Sequence, residues 1–203
     1  MYQGAVKNRN ACIVLPDGTS YEGYGYGAEG TVTAELCFNT AMTGYQEIIS
    51  DPSYADQIIV FTFPHIGNVG VNLEDNESLK PVARGIVTRL KPTSPSSWRN
   101  TGRLDDWMQT HNIIGIYGID TRRITLKLRN LGVVNAVISN EPPPRTNRDI
   151  LIKKAKNWPG ISDSDLAKEV SCKTPYDWDE GRWAWPGKFQ NPAKNKKVVA
   201  IDF

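Results

Sequence analysis

Histidine and cysteine are scarce, with two of the first and three of the second in 203 residues. The cysteines (Cys12, Cys37, Cys172) are odd in number and widely spaced, with no Cys-x-x-Cys pair. Neither a disulfide framework nor a zinc knuckle is expected from such a set, and a reducing cytoplasm fits it. The chain does not need covalent staples either, since one of this length buries about 70% of its unfolded surface. No apolar run approaches the ~20 residues of a membrane span. The opening MYQGAVKNRN has no apolar signal-peptide core. Charge of one sign is also missing. Lysine and arginine number 24 against 22 aspartates and glutamates, which leaves +2 and no polybasic face for nucleic acid. These absences leave a soluble globular protein.

What is present is a mixture of strands and helices. Residues 11–15 and 21–26 flank Pro16-Asp17-Gly18-Thr19, and Asp-Gly between apolar runs signals a hairpin. Val32, Ala34, Leu36 and Phe38 alternate with polar neighbours, as in a half-buried strand. Thr43 and Gln46 read as a capping box opening a short helix over 44–49, which Asp51-Pro52 stops. Residues 58–63 are apolar at both parities, as in a strand buried on both faces, and 83–90 form another strand. Thr101 can cap a helix that carries Asp105 and Asp106 in its first turns and the stripe Leu104, Trp107, Met108, His111. Residues 113–119 read as a strand. Asp120 or Thr121 then caps a helix with Ile124, Leu128 and Leu131 inward, Gly132 ends it, and 133–139 return as a strand. The class expected is α/β, a mixed β/β/α-type layered domain over residues 8–140.

The text changes after that. Residues 141–147 (EPPPRTN) are a break, followed by a helix with Leu151, Ala155 and Trp158 at helical spacing and a shorter one over 166–170. Residues 173–191 hold three tryptophans and little periodicity, and NPAKNKK reads as a basic linker. Residues 141–196 are therefore expected to be connecting helices and a Trp-rich linker. VVAIDF (198–203) has the character of a parallel-sheet strand, yet no crossover helix follows. Residues 197–203 are thus expected to be the first strand of a second domain that the chain lacks.

Several motifs suggest chemistry. Gly25-Tyr26-Gly27-Ala28-Glu29-Gly30 matches the dinucleotide pattern GxGxxG, and with Val32 the kinase glycine loop. A dinucleotide site needs a helix next, whereas TVTAELCF has period two. A kinase needs a lysine on the next strand and an HRD loop, and both are missing. A glycine-rich β-turn is the expectation. Cys12 and Cys37 lie inside strands, where a free cysteine is usually a small hydrophobe, and no cysteine sits in a nucleophile elbow. His65 lies in a Pro-His-Ile-Gly turn and His111 at a helix end. No residue of this chain is expected to be catalytic, and no metal site is expected.

One stretch, FNTAMTGYQEIISDPSYADQIIVFTFPHIGNVGVN (38–72), surrounds its core strand with turn-forming and hydroxyl residues. With LPDGTSYEGYGYGAEG before it and GIYGIDTRRITLKLRNLG, DLAKEV and PYDWDEGRW after it, this stretch closely resembles the amino-terminal half of the small-subunit family of glutamine-dependent carbamoyl phosphate synthetases. The resemblance runs from about residue 11 to 203. It implies a module of a glutaminase subunit, serving synthesis of carbamoyl phosphate from glutamine, bicarbonate and ATP for arginine and pyrimidine production. The family's catalytic Cys and His–Glu pair lie in a second, class I amidotransferase domain that begins at a strand resembling VVAIDF, so this chain alone should be inactive. The partners implied are that domain, L-glutamine and the large subunit, which uses ATP and Mg; this chain itself should hold no cofactor. Of its residues, the serine of DPSY contributes to glutamine binding in the family, and here that is Ser53. Read from its residues alone, Asp51-Pro52-Ser53-Tyr54 is a type I turn that needs no ligand. A stand-alone scaffold module and a hydrolase using Cys37 and His65 are the alternatives.

Overall fold

The computed structural model describes residues 9–78, 80–141, 147–162, 164–186, 188–190 and 197–201. The chain divides into two compact units between Ser164 and Asp165.

Among the described residues, the first unit holds seven strands: β1 (Ala11–Val14), β2 (Ser20–Gly27), β3 (Thr31–Asn39), β4 (Gln57–Phe61), β5 (Gly85–Val87), β6 (Ile114–Tyr117) and β7 (Val134–Ser139). They close in the order β1-β2-β6-β5-β4-β3-β7. The β3–β4, β4–β5 and β5–β6 junctions are parallel, and the other four are antiparallel. Four helices join them: α1 (Tyr45–Ser50), α2 (Leu104–Thr110), α3 (Thr121–Leu131) and α4 (Arg148–Asn157).

The strand periodicity of two sorts side chains between separate cores. On β4, Ile58 and Val60 join Ile13, Leu36, Val87, Ile116 and Ile138 in one cluster, with Ile124 and Leu128 of α3. Ile59 and Phe61, on the opposite face, join Ile86 with Tyr45 and Ile49 of α1 and Leu104 and Met108 of α2. These four side chains of β4 are fully buried. A strand sandwiched between two cores has no polar face, which is why 58–63 is apolar at both parities. Each such side chain contributes about 1.5–3 kcal/mol on burial. A third cluster places Leu151 and Ala155 of α4 on Val14 and Val137. The closed sheet also demands a near-bare backbone at Gly85, where an added Cβ would lie 2.2 Å from Ile138 Cδ1 and 2.9 Å from the Ile114 carbonyl.

The mixed α/β class stands, but the β layers expected from the sequence are parts of one closed sheet. Several local expectations give way to long-range partners. Thr43 is exposed and does not cap α1. Gly44 takes the cap position with φ 77°, and the Gln46 side chain crosses to the 72–76 loop instead. Thr101 does not cap α2; its hydroxyl donates to the Val71 carbonyl, and Arg103 takes the cap position. Leu131 is exposed at the last residue of α3 rather than inward. Phe38, expected among the inward side chains of β3, is also exposed. The strand expected over 83–90 shortens to Gly85–Val87. Asp120 does cap α3, its Oδ1 accepting from Arg123 N at 3.2 Å, and Gly132 ends that helix at φ 78°.

In the second unit, α5 (Leu166–Val170) is capped by Asp165, and β8 (Trp183–Ala184) pairs antiparallel with β9 (Lys188–Phe189). Val198, Val199 and Ile201 are exposed, and residues 197–201 carry no regular structure. Residues 142–146 of the expected break, 191–196 of the basic linker and 202–203 of the expected terminal strand lie outside the described residues.

Candidate functional site

The DPSY stretch sits between α1 and β4. Pro52–Tyr54 forms one 3-10 turn, with Pro at its first position. Proline suits that position because its ring presets φ and the missing N–H would have no partner there. Asp51 caps the turn, its Oδ1 accepting from Ser53 N at 2.8 Å. Tyr54 N donates to the Asp51 carbonyl at 3.0 Å and Ala55 N to the Pro52 carbonyl at 3.1 Å. Tyr54 is half-buried against the α1–α2 core, and its hydroxyl accepts from Asn39 Nδ2 at 2.9 Å. The chain leaves the turn through Asp56 at φ 55°, whose carbonyl accepts from Glu35 N on β3 and whose carboxylate pairs with Arg84 at 2.5 Å. Within 51–56, Ser53 alone is exposed. A serine hydroxyl held out on a pinned turn can donate one hydrogen bond and accept two.

Several other hydroxyl and amide residues of 38–78 are buried, Tyr45, Gln46, Ser50 and Asn72 among them. Gln46 is buried, donating from Nε2 to the Asn72 carbonyl (2.6 Å) and to Asn76 Oδ1 (2.7 Å), and accepting from Asn72 N (3.0 Å). Ser50 Oγ donates to the Gln46 carbonyl and accepts from Glu77 N. Tyr45 donates its hydroxyl proton to the Gly70 carbonyl at 2.7 Å. These side chains fasten α1 to the loop that follows β4. Sequence reasoning missed this network because its partners lie some 26 residues apart.

Cys37 is half-buried against the α1–α2 core, with Sγ 3.6 Å from the Ile58 carbonyl. Burial, with a smaller contribution from Glu35, pushes its thiol up to about 12, so the reactive thiolate is absent near neutrality. His65 is exposed and meets Phe63 edge-on, while His111 meets Trp107 edge-on at 4.8 Å. Burial likewise raises the Cys12 thiol. Among the described residues, no group of three or more His, Cys, Asp or Glu could hold a metal.

The glycine-rich stretch is not a single turn: Gly25 and Gly27 end β2, paired with β6, and only 28–30 connect to β3; the glycine amides are already used. Gly25 N donates to Asn10 Oδ1 (3.1 Å), Gly27 N to Asp105 Oδ1 (2.6 Å) and Gly30 N to Asn140 Oδ1 (2.7 Å). A phosphate cradle needs those N–H groups free, and the Asp105 carboxylate would repel a phosphate. The glycines serve close packing. A Cβ on Gly25 would lie 2.5 Å from Asn140 Cβ, and Gly27, at φ 70°, lies against the Ile113 carbonyl.

Fold and site together define a mixed α/β barrel domain that presents one braced serine turn. A family model described as the carbamoyl-phosphate synthase small chain, CPSase domain, matches residues 13–138. The chain is 49% identical over its full length to the carbamoyl phosphate synthase small chain of Ruegeria pomeroyi, covering 53% of that relative. It is 44% identical over its full length to that of Caulobacter vibrioides, covering 54%. It is 48% identical to that of Bradyrhizobium diazoefficiens, over 95% of this chain and 50% of the relative. The chain belongs to the carbamoyl-phosphate synthase small chain family and spans about half the length of these relatives.

Proposed function

We propose that the chain is the non-catalytic amino-terminal part of the glutaminase subunit of a glutamine-dependent carbamoyl phosphate synthetase, a cytoplasmic ligase complex. The barrel and the segment up to residue 196 would pack against the amidotransferase domain, whose first strand begins at 197–203, and against the large subunit, where ATP and Mg act. Family membership over the whole chain, at about half the length of the relatives, carries this reading. Ser53 would contribute to L-glutamine binding from this side of the site. Its exposed hydroxyl on a turn fixed by Asp51 and Pro52 supports the assignment.

Glutamine carries charged α-ammonium and α-carboxylate groups, so its site must replace hydration with fixed hydrogen bonds. A pinned turn supplies one at little entropic cost. Ser53 cannot attack the amide without a base to activate it. The test is steady-state kinetics of the complete subunit with its large partner. Ser53→Ala should weaken glutamine binding by about 0.5–1.5 kcal/mol, or up to ~3 kcal/mol if the partner is charged. That would raise KM for glutamine and leave ammonia-dependent synthesis unchanged. An unchanged KM, or equal loss with ammonia, removes Ser53 from the site. The hydrolase alternative predicts glutamate release by this chain that Cys37→Ala abolishes; the raised Cys37 thiol argues against it.

A further inference from the structure

We infer that Asp51 is a positioning residue for glutamine use, acting through Ser53, with Tyr54 and Asn39 as its second anchor; this rests on the reading of Ser53 as a glutamine-binding residue. A 3-10 turn of three residues has poor hydrogen-bond geometry and does not persist on its own strength. Ser53 is exposed, so packing does not fix it. What fixes it is bonded on both sides. Before it, the Asp51 carboxylate accepts from Ser53 N at 2.8 Å, and the Asp51 carbonyl accepts from Tyr54 N. After it, the Tyr54 hydroxyl accepts from Asn39 Nδ2 at 2.9 Å and its ring lies against the α1–α2 core. Because Asp51 occupies the Ser53 amide, the group Ser53 offers outward is its hydroxyl. Removing the Asp51 acceptor frees the amide and loosens the backbone on which that hydroxyl is mounted. The turn can then sample orientations that do not bind, and the apparent affinity falls by the fraction lost.

What Asp51 contributes here is an acceptor oxygen; its charge is incidental. An asparagine at 51 keeps that oxygen, and asparagine is as good a cap as aspartate. The experiment compares Ser53→Ala, Asp51→Ala, Asp51→Asn and Tyr54→Phe in the complete two-subunit enzyme, with glutamine and with ammonia as nitrogen source. Asp51→Ala should raise KM for glutamine about three- to tenfold, the range expected for one lost hydrogen bond. Its kcat at saturating glutamine and its ammonia-dependent rate should hold. Asp51→Asn should return KM to within about twofold of the parent, and Tyr54→Phe should give a smaller rise than Asp51→Ala. A merely structural role for Asp51 would lower both nitrogen sources together, and that outcome overturns the inference. So does an Asp51→Asn variant as impaired as Asp51→Ala, because the charge would then be what matters. If Ser53→Ala raises KM and Asp51→Ala does not, the inference fails while the Ser53 assignment survives. If Ser53→Ala itself is silent, the assignment fails first.

Discussion

Two irregular stretches of this chain, 38–102 and 165–201, look alike as text: both are rich in turn residues and interrupted apolar positions. In the folded protein they differ in where their large side chains go. In the first, Met42, Leu73 and Trp98 are exposed, but Tyr45, Ile49, Ile66 and Val71 are buried against β4 and β5. Their loops are sewn together by Gln46, Ser50 and Tyr45 and by backbone bonds such as Thr93 N to the Ile66 carbonyl and Ser96 N to the Asn68 carbonyl. In the second, Tyr176 is 69% exposed, Trp178 68%, Trp185 70% and Val198 90%. Apolar content alone therefore does not say whether a stretch is structured. In the first stretch, β4 supplies the face against which the large side chains are buried. An exposed loop residue within a braced stretch, such as Ser53, is then a more informative feature than an exposed tryptophan in the second.

Truncating an aromatic in each stretch is the strongest way to break this contrast. Phe61→Ala removes a fully buried ring from the α1–α2 core and should cost about 3–5 kcal/mol. Trp178→Ala should move stability by no more than about 0.5 kcal/mol, because its ring is mostly in solvent. Denaturant melts of both variants with unchanged slope give the two numbers directly. A Trp178 loss comparable to that of Phe61 would mean that the second stretch is held as firmly as the first.

The next test concerns the polar braces. Gln46→Ala would strand the Asn72 N–H and carbonyl in a buried place, and Asn140→Ala would do the same to Gly30 N and the Ala28 carbonyl. Each should cost about 1–3 kcal/mol, the penalty of an unsatisfied buried group. Hydrogen exchange should show where the loss is felt: amides of 44–50 and 70–78 for Gln46, and amides of 25–30 for Asn140. A loss spread evenly over the barrel would show that these side chains do not fasten particular loops.

Legibility in the sequence followed the same division. Local signals read correctly: the double-sided apolar run of β4, the Asp120 cap and Gly132 end of α3, the Pro16–Thr19 hairpin turn, and the Asp51-Pro52 turn under Ser53. Each depends on residues within four positions of one another. Thr43 and Thr101 misled because a hydroxyl before a helix is only a candidate cap. The Thr101 hydroxyl instead donates to the Val71 carbonyl, thirty residues away. Closure of the sheet through β7, which pairs with both β1 and β3, is set by contacts across about a hundred residues or more and leaves no mark on either strand's text. Of the candidate site, the turn was visible. The Asn39–Tyr54 bond that holds its far side was not, because nothing near either residue marks the other as its partner.

The smallest effect sharpens the contrast at its edge, where a brace lies in solvent. Lys127 on α3 donates from Nζ to Asp17 Oδ2 at 2.6 Å and to Thr19 Oγ1 at 2.6 Å, tying the β1–β2 turn to the helix. Hydrogen bonds from Lys127 and from the Thr19 amide hold the Asp17 carboxyl down at about 2, below its ordinary 3.8. A carboxyl depressed in the folded state stabilises above its unfolded pKa, and that contribution is lost as pH falls from about 4 through about 2. Because the Asp17 side chain is 52% exposed, water and salt screen the pair, and the contribution at pH 7 should be no more than about 1 kcal/mol. Asp17→Asn keeps an acceptor for the Thr19 amide and removes only the charge. It should therefore cost about 0.2–1 kcal/mol at pH 7, less in 1 M salt, and almost nothing at pH 2. Melting the parent and this variant at pH 7 and at pH 2 provides the check. A difference that persists at pH 2 would assign the cost to the shape of the turn, and one well above 1 kcal/mol at pH 7 would place this pair among the buried braces.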